Sequence, residues 1–386
     1  MAGPTGCPAA ESKDQTGDAT LRDRTSSGVP TRRRRTPKTI VLGLGLALLL
    51  SACAGEQSAM HPAGPYAQGP HDLIVPVLWI ALAVFILVQG LIIFAIVRFR
   101  QRKDEPEDEL PLQVHGNTRL EIVWTIIPAV ILAAIAVPTV QGIFEQMNEP
   151  DDPDTLTVEV IGHRWWWEYY YPDFDIYSAN ELVMPVDVPV RLELTAADPG
   201  RSAEQGVIHS YWVPALAGKQ DAVPGQVTHL NLQADEAGTY LGQCAEYCGL
   251  SHVNMRNRAV AMDQADFDTW VEQQTTPAEE PDQGTDAFEG REAFQNSCAA
   301  CHQVWEGDGD RAPNIGPDLT HLMSRETFAG GIFELNEENL REWLEDPPAM
   351  KAMQPERGIG MPNLDLTEGE IDALVAYMMA LDPEDS

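Results

Sequence analysis

The chain has 386 residues, with 25 Lys+Arg against 59 Asp+Glu and a formal net charge of −34. That length allows two or three domains. So acidic a chain excludes a nucleic-acid partner, and the surplus charge serves either solubility or the docking of basic partners.

In chain order, residues 1–31 are polar and lack apolar periodicity, which predicts a disordered N-terminal extension. Arg32–Arg35 and Lys38 then precede a short apolar run, Ile40–Leu50, too short to span a bilayer. Leu50-Ser51-Ala52-Cys53 follows. It resembles a bacterial lipoprotein signal cleaved before an acylated cysteine; the alternative is a cysteine that merely ends a signal peptide. Residues 1–52 are thus read as extension and signal.

Leu73–Val97 carries no charge. At 1.5 Å per residue it reaches roughly 37 Å, enough to cross a hydrocarbon core of about 30 Å. Arg98, Arg100, Arg102 and Lys103 place its far end in the cytoplasm. A second run over about 122–141 returns, with Pro128 and Pro138 tolerable in a packed membrane helix. Residues 53–150 are therefore expected to form a lipid-anchored helical hairpin in the bacterial cell membrane, with the large C-terminal part outside. Glu121 stands at the start of the second helix, where the macrodipole favours an acid, although a carboxylate at a membrane boundary is also a functional candidate.

From Thr155 to about residue 273, short alternating segments bounded by Pro, Gly and Asp predict an all-β domain. Three consecutive tryptophans, Trp165–Trp167, suit a core or a membrane-interface belt. Alternation puts Trp165 and Trp167 on one face and Trp166 on the other. The stretch Gln243–Met255, QCAEYCGLSHVNM, holds Cys244, Cys248, His252 and Met255. Thiolate, imidazole and thioether form a soft donor set suited to copper. The spacing fits one helix face, but Gly242 and Gly249 favour a strand running into a tight loop.

Residues 274–286, including PAEEPDQG, read as a linker. An amphipathic helix then leads into Cys298-Ala-Ala-Cys301-His302. A bare C-x-x-C-H can be a metal or redox pair, but in an exported chain, on a helix and with the residues beyond it, it reads as a c-type haem attachment, with two thioethers and the histidine as proximal ligand. A sixth ligand is sought among Met323, Met350, Met353, Met361, Met378 and Met379. Cys7 falls in the leader, so the six cysteines leave none for a structural disulfide.

C-x-E-x-C-x3-H-x2-M is similar to the binuclear copper (CuA) signature of cytochrome c oxidase subunit II, and GVIHSYWVP to the strand holding its upstream histidine. The resemblance implies a cupredoxin barrel in which Cys244 and Cys248 bridge two coppers. His209 and His252 would each bind one, with Met255 and the Glu246 carbonyl as weak ligands. It also implies that electrons enter through Trp165 and that Glu121, three residues before Trp124, lies at the mouth of a proton path. Gly206 stands where the family has an aspartate that docks cytochrome c.

Residues 287–386 resemble class I cytochromes c. Met361, between Gly360 and Pro362 and before LTEGEIDALVAYMMAL, is the implied axial ligand. The Pro317 carbonyl would hold His302 by a hydrogen bond. The whole resembles subunit II of a caa-type terminal oxidase, a proton-translocating oxidoreductase, with its cytochrome c fused on. Two coppers and one covalent haem c are the implied cofactors. Implied partners are catalytic subunit I, subunit III, and an external donor such as a cytochrome c or a cytochrome bc complex. The rivals are a nitric oxide reductase subunit, a lipoprotein copper carrier, and a quinol oxidase subunit that would have lost the copper ligands.

Overall fold

The computed structural model describes residues 55, 57–100, 115–197, 206–309, 311 and 315–383. The signal segment, Cys53, Arg102 and Lys103 lie outside them.

Two long apolar helices come first, α1 (Pro65–Phe99) and α2 (Thr118–Met147). Their apolar side chains are exposed along nearly the whole length, as lipid-facing helices require. Proline at the first position of α1 has the φ that position needs. The Asn117 side chain caps α2 by accepting from the N–H groups of Arg119 and Leu120 at 3.1 and 3.3 Å. Both helices outrun the expected 73–97 and 122–141, because their outer turns leave the apolar run and support the next domain. The Tyr66 carbonyl accepts from Gln146 Nε2 at 2.7 Å, and Asn231 Nδ2 donates to the Asn148 carbonyl at 2.6 Å. Gly64 lies so close to the Gln233 carbonyl that a Cβ has no room.

The β domain is a sandwich. Its strands are β1 (Leu156–His163), β2 (Trp166–Tyr171), β3 (Ile176–Ala179), β4 (Glu181–Pro185), β5 (Val190–Ala196), β6 (His209–Trp212), β7 (Lys219–Ala222), β8 (Thr228–Leu232), β9 (Gly238–Gln243) and β10 (Arg256–Met262). One sheet runs β3-β2-β1-β5-β8, a second β4-β10-β9, and β6 pairs with β7. The β1–β5 and β4–β10 pairs are parallel. Period-two alternation turns Val158 and Val160 of β1, and Leu192 and Leu194 of β5, into the core. Helix α3 (Gln264–Gln274) adds Phe267 and Trp270 to that core.

Arg164 and Trp165 form the turn between β1 and β2, since His163 pairs with Trp166. Trp165 is therefore not a strand residue. It and Trp167 are buried and Trp166 is half-buried, but Trp165 is turned inward by the hairpin rather than by alternation.

The C-terminal domain comprises α4 (Asp286–Ser297), the hairpin β11 (Thr327–Phe328) and β12 (Phe333–Glu334), α5 (Glu337–Glu345), the single turn α6 (Pro347–Met350) and α7 (Glu368–Met379). Thr367 and Glu370 form a capping box on α7. Helices α4 and α7 cross at Gly290, where a Cβ would meet the Ala373 carbonyl, and the Phe294 and Tyr377 rings meet tilted, 5.7 Å apart. The segment expected as linker is engaged: Ala278 N–H donates to the Trp305 carbonyl at 2.9 Å, and Glu280 pairs with Arg291 at 3.5 Å.

The buried Tyr171 hydroxyl donates to the Val183 carbonyl at 2.8 Å and accepts from the Val183 N–H at 2.9 Å, joining the two sheets. Burial pushes this phenol far above its usual range. Tyr171→Phe leaves both Val183 groups buried without a partner and is expected to cost about 1–3 kcal/mol. Denaturant unfolding followed by tryptophan fluorescence checks this; an unchanged midpoint would show that the phenol carries no weight.

Candidate metal centres

Strand β9 ends at Gln243, and the chain enters a loop closed by main-chain bonds. Cys244 N–H donates to the Met255 carbonyl, and Ala245 N–H to the Ser210 carbonyl, both at 2.9 Å. The loop is not a helix; its only regular piece is a single turn at His252–Asn254. Gly249 adopts φ +118°, and even a Cβ there would sit 3.2 Å from the Trp165 ring. His209 opens β6, fully buried, against an edge of Trp167 at 5.8 Å. Gly162 makes room for it, since a Cβ would stand 2.9 Å from the imidazole.

The predicted donors converge. Cys244 Sγ lies 3.8 Å from His209 Nδ1, 3.3 Å from the Glu246 carbonyl and 3.9 Å from Cys248 Sγ. Cys248 Sγ lies 3.6 Å from His252 Nδ1 and 3.9 Å from Met255 Sδ. The two sulfurs are far beyond the roughly 2.05 Å of a disulfide. Ligand atoms each about 2.0–2.3 Å from a shared ion stand about 3.5 Å apart, so these separations fit metal ligation. Its hydrogen bond with Cys248, aided by His209, holds the Cys244 thiol well below its usual range, and the same bond raises Cys248. Soft donors in a buried, pre-formed ring fit copper. The Glu246 carboxylate turns outward and caps Tyr247 N–H at 3.2 Å.

The loop has two unlike edges. Tyr247, Leu250 and Val253 remain 76%, 54% and 71% exposed around half-buried His252. The other edge is covered by the C-terminal domain.

In that domain α4 ends at Ser297, so Cys298 and Cys301 sit on the turn beyond the helix, not on the helix itself. The turn brings His302 Nδ1 to 2.9 Å from the Pro317 carbonyl, which can only accept. Nδ1 therefore carries the proton, and Nε2 keeps its lone pair free. Burial pushes the imidazole pKa down, favouring that neutral ligand form. Gly316 faces the ring where a Cβ would come 2.6 Å from Cε1. His302, both cysteines and Met361 line one mostly apolar cavity, which suits a haem. Met353 and Met378 also reach it, but Met323, Met350 and Met379 do not. Met361 Sδ accepts the indole N–H of Trp343 at 3.2 Å.

Trp165 and Trp166, from the β domain, close the same cavity. Trp165 Nε1 donates to the Cys248 carbonyl at 3.1 Å, so one indole touches both centres. Glu121 stays apart, in the first turn of α2 at the end remote from the β domain. Gly206 packs beside Pro224 and Ala196, with a built Cβ 3.3 Å from the proline ring. Sequence reasoning missed Lys351, Glu181 and Trp343. Only Lys351 carried a signal, being the single lysine after residue 219.

Residues 55–141 match the family described as Cytochrome C oxidase subunit II, transmembrane domain, and residues 175–261 its periplasmic domain. Residues 287–382 match Cytochrome c. Cytochrome c oxidase subunit 2 of Alkalihalophilus pseudofirmus is 40% identical over 87% of this chain and 94% of its own length. Quinol oxidase subunit 2 of Bacillus anthracis is 32% identical over 61% of this chain and 80% of its own. The periplasmic domain of subunit II of cytochrome oxidase from Bradyrhizobium japonicum is 30% identical over 33% of this chain and 96% of its own, with a TM-score of 0.29. The chain thus belongs to the cytochrome c oxidase subunit 2 family, as a membrane-anchored subunit of an oxidoreductase complex that carries its own cytochrome c domain.

Proposed function

We propose that this chain is the subunit through which electrons enter a terminal haem-copper oxidase. It takes them from an external donor at haem c and passes them through a copper pair to catalytic subunit I. The observation that carries this reading is the meeting of the copper-type donor ring and the haem-type cavity at one residue, Trp165. When bound, the copper pair and the haem supply one-electron chemistry that needs little rearrangement; no oxygen-binding site is assigned to this chain.

Cys244, Cys248, His209 and His252 would hold the coppers, with Met255 and the Glu246 carbonyl as weaker donors. Cys298 and Cys301 form the thioethers. His302 and Met361 would hold the haem iron, and the Pro317 carbonyl orients the His302 imidazole for it. Met361 is favoured over Met353 because Met353 packs against the β-domain core, beside Gly360 where a Cβ would collide with it, while Trp343 holds the Met361 sulfur at the cavity. The Trp165 indole offers a short route from cavity to copper loop.

Electrons leave on the His252 side, where exposed Tyr247, Leu250 and Val253 would be covered by subunit I. Subunit III completes the complex in this reading. Glu121, at the far membrane boundary, marks the mouth of a proton path. The Leu50–Cys53 motif supports export to the outer face with acylation at Cys53. Intact copper ligands argue against a quinol oxidase role, despite relatives bearing that name.

Three outcomes are expected. The purified chain, matured with both cofactors, gives two coppers per haem sharing one unpaired electron in low-temperature electron paramagnetic resonance. A single mononuclear copper signal overturns the relay and favours a copper carrier. Trp165→Phe slows haem-to-copper transfer at least tenfold after flash reduction, with the copper spectrum retained; an undiminished rate removes Trp165 from the path. Turnover with a basic cytochrome falls as ionic strength rises, because the C-terminal domain is acidic; a salt-independent rate rules out electrostatic docking there.

A further inference from the structure

The sequence suggests a tethered donor, free to swing on a flexible linker. The contacts between the two domains are of another kind. Glu181, buried in β4, accepts from Glu326 N–H at 3.2 Å, Thr327 N–H at 2.9 Å and the Thr327 hydroxyl at 2.8 Å. Lys351, also buried, donates from Nζ to the carbonyls of Trp165 and Ala329, both at 2.7 Å.

Between these two points the domains are bonded through the Gly330 and Ala352 carbonyls. Arg256 N–H donates to the Gly330 carbonyl at 2.9 Å, and the Ser251 hydroxyl to the Ala352 carbonyl. Gly330, at φ +83°, lies against Lys351 Nζ, with a built Cβ only 2.8 Å from the carbonyls of Asn254 and Trp165. Ile359 and Met353 of the C-terminal domain pack into the β-domain core. The segment Ser251–Arg256 carries two of the proposed copper ligands and is thus held from outside.

We propose that the cytochrome domain is pinned, not tethered, with Lys351 and Glu181 as the two pins, so that no docking motion precedes haem-to-copper transfer. This rests on the relay reading above. In the step concerned, one electron leaves the haem and one arrives at the copper pair; no bond or proton is exchanged. A flexible linker alone holds its domains at millimolar effective concentration, leaving an undocked population. A buried carboxylate with three donors does not come apart so readily, because separation breaks all three hydrogen bonds at once and returns the apolar groups packed beside them to water. Burial pushes the Lys351 ammonium down to about 7. Two carbonyls need only two N–H donors, which the neutral amine also has, so the pin holds on either side of that pH.

Lys351 and Glu181 act here as positioning residues, and the test uses the assembled holo-oxidase. The haem is flash-reduced and its electron loss to copper followed in buffers of rising sucrose viscosity. A pinned interface predicts a wild-type rate independent of viscosity. Lys351→Met should slow transfer at least tenfold and make it viscosity-dependent, with haem and copper spectra unchanged, and Lys351→Arg should restore much of the loss. Glu181→Gln, at the opposite end, should give the same viscosity dependence, and it decides the matter if Lys351→Met fails to acquire haem. A wild-type rate falling in proportion to viscosity overturns the proposal, as does an undiminished, viscosity-independent rate in both Lys351→Met and Glu181→Gln. Absence of any haem-to-copper transfer in the wild type, at every viscosity, sinks the relay itself.

Discussion

One indole holds the redox half of this chain together. Trp165 sits in a two-residue turn, gives its N–H to the carbonyl of Cys248, takes Lys351 on its own carbonyl, and presents its ring to the haem cavity. Each contact uses a group that must be satisfied once buried. The turn, the copper loop and the cytochrome domain are consequently interdependent. Movement of any one leaves a polar group of the others unpaired inside a low-dielectric region, where the cost is largest.

The same logic explains the glycines at the sites. Gly162 yields space to His209, Gly249 to Trp165, Gly316 to His302, and Gly330 to Lys351. Where two backbones and a functional ring must share one layer, a Cβ is the atom given up. A pre-formed ligand ring suits electron transfer, since its groups need not move when charge arrives. The helices extend that rigidity toward the membrane. Their outer turns are bonded to each other through Gln146 and the Tyr66 carbonyl, and the end of α2 is bonded to the β domain by Asn231, which donates to the Gln146 and Asn148 carbonyls.

Charge is distributed to match. Tyr247, Leu250 and Val253 form an uncharged rim on the copper loop, while the remaining surface carries the chain's large acidic excess. An apolar rim suits a permanent partner, whereas an acidic surface suits a transient one steered by long-range fields.

Much of this was written in local order. Metal chemistry depends on residue types at short spacing, so Cys244, Cys248, His252 and Met255, and likewise Cys298, Cys301 and His302, were legible from the chain alone. Hydropathy gave the two membrane helices, and alternation gave the β domain. Contacts between residues far apart in sequence were not legible, because no local pattern encodes them. Glu181 looked like an ordinary strand-end acid and Lys351 like a surface lysine; each acquires its role from a segment roughly 145 or 186 residues away. The tertiary structure alone decided that Trp165 belongs to a turn, that the helices run on past their apolar stretches, and that the C-terminal domain lies against the copper loop. Those outcomes follow from packing and from the need to satisfy buried polar groups, which only the folded chain as a whole resolves.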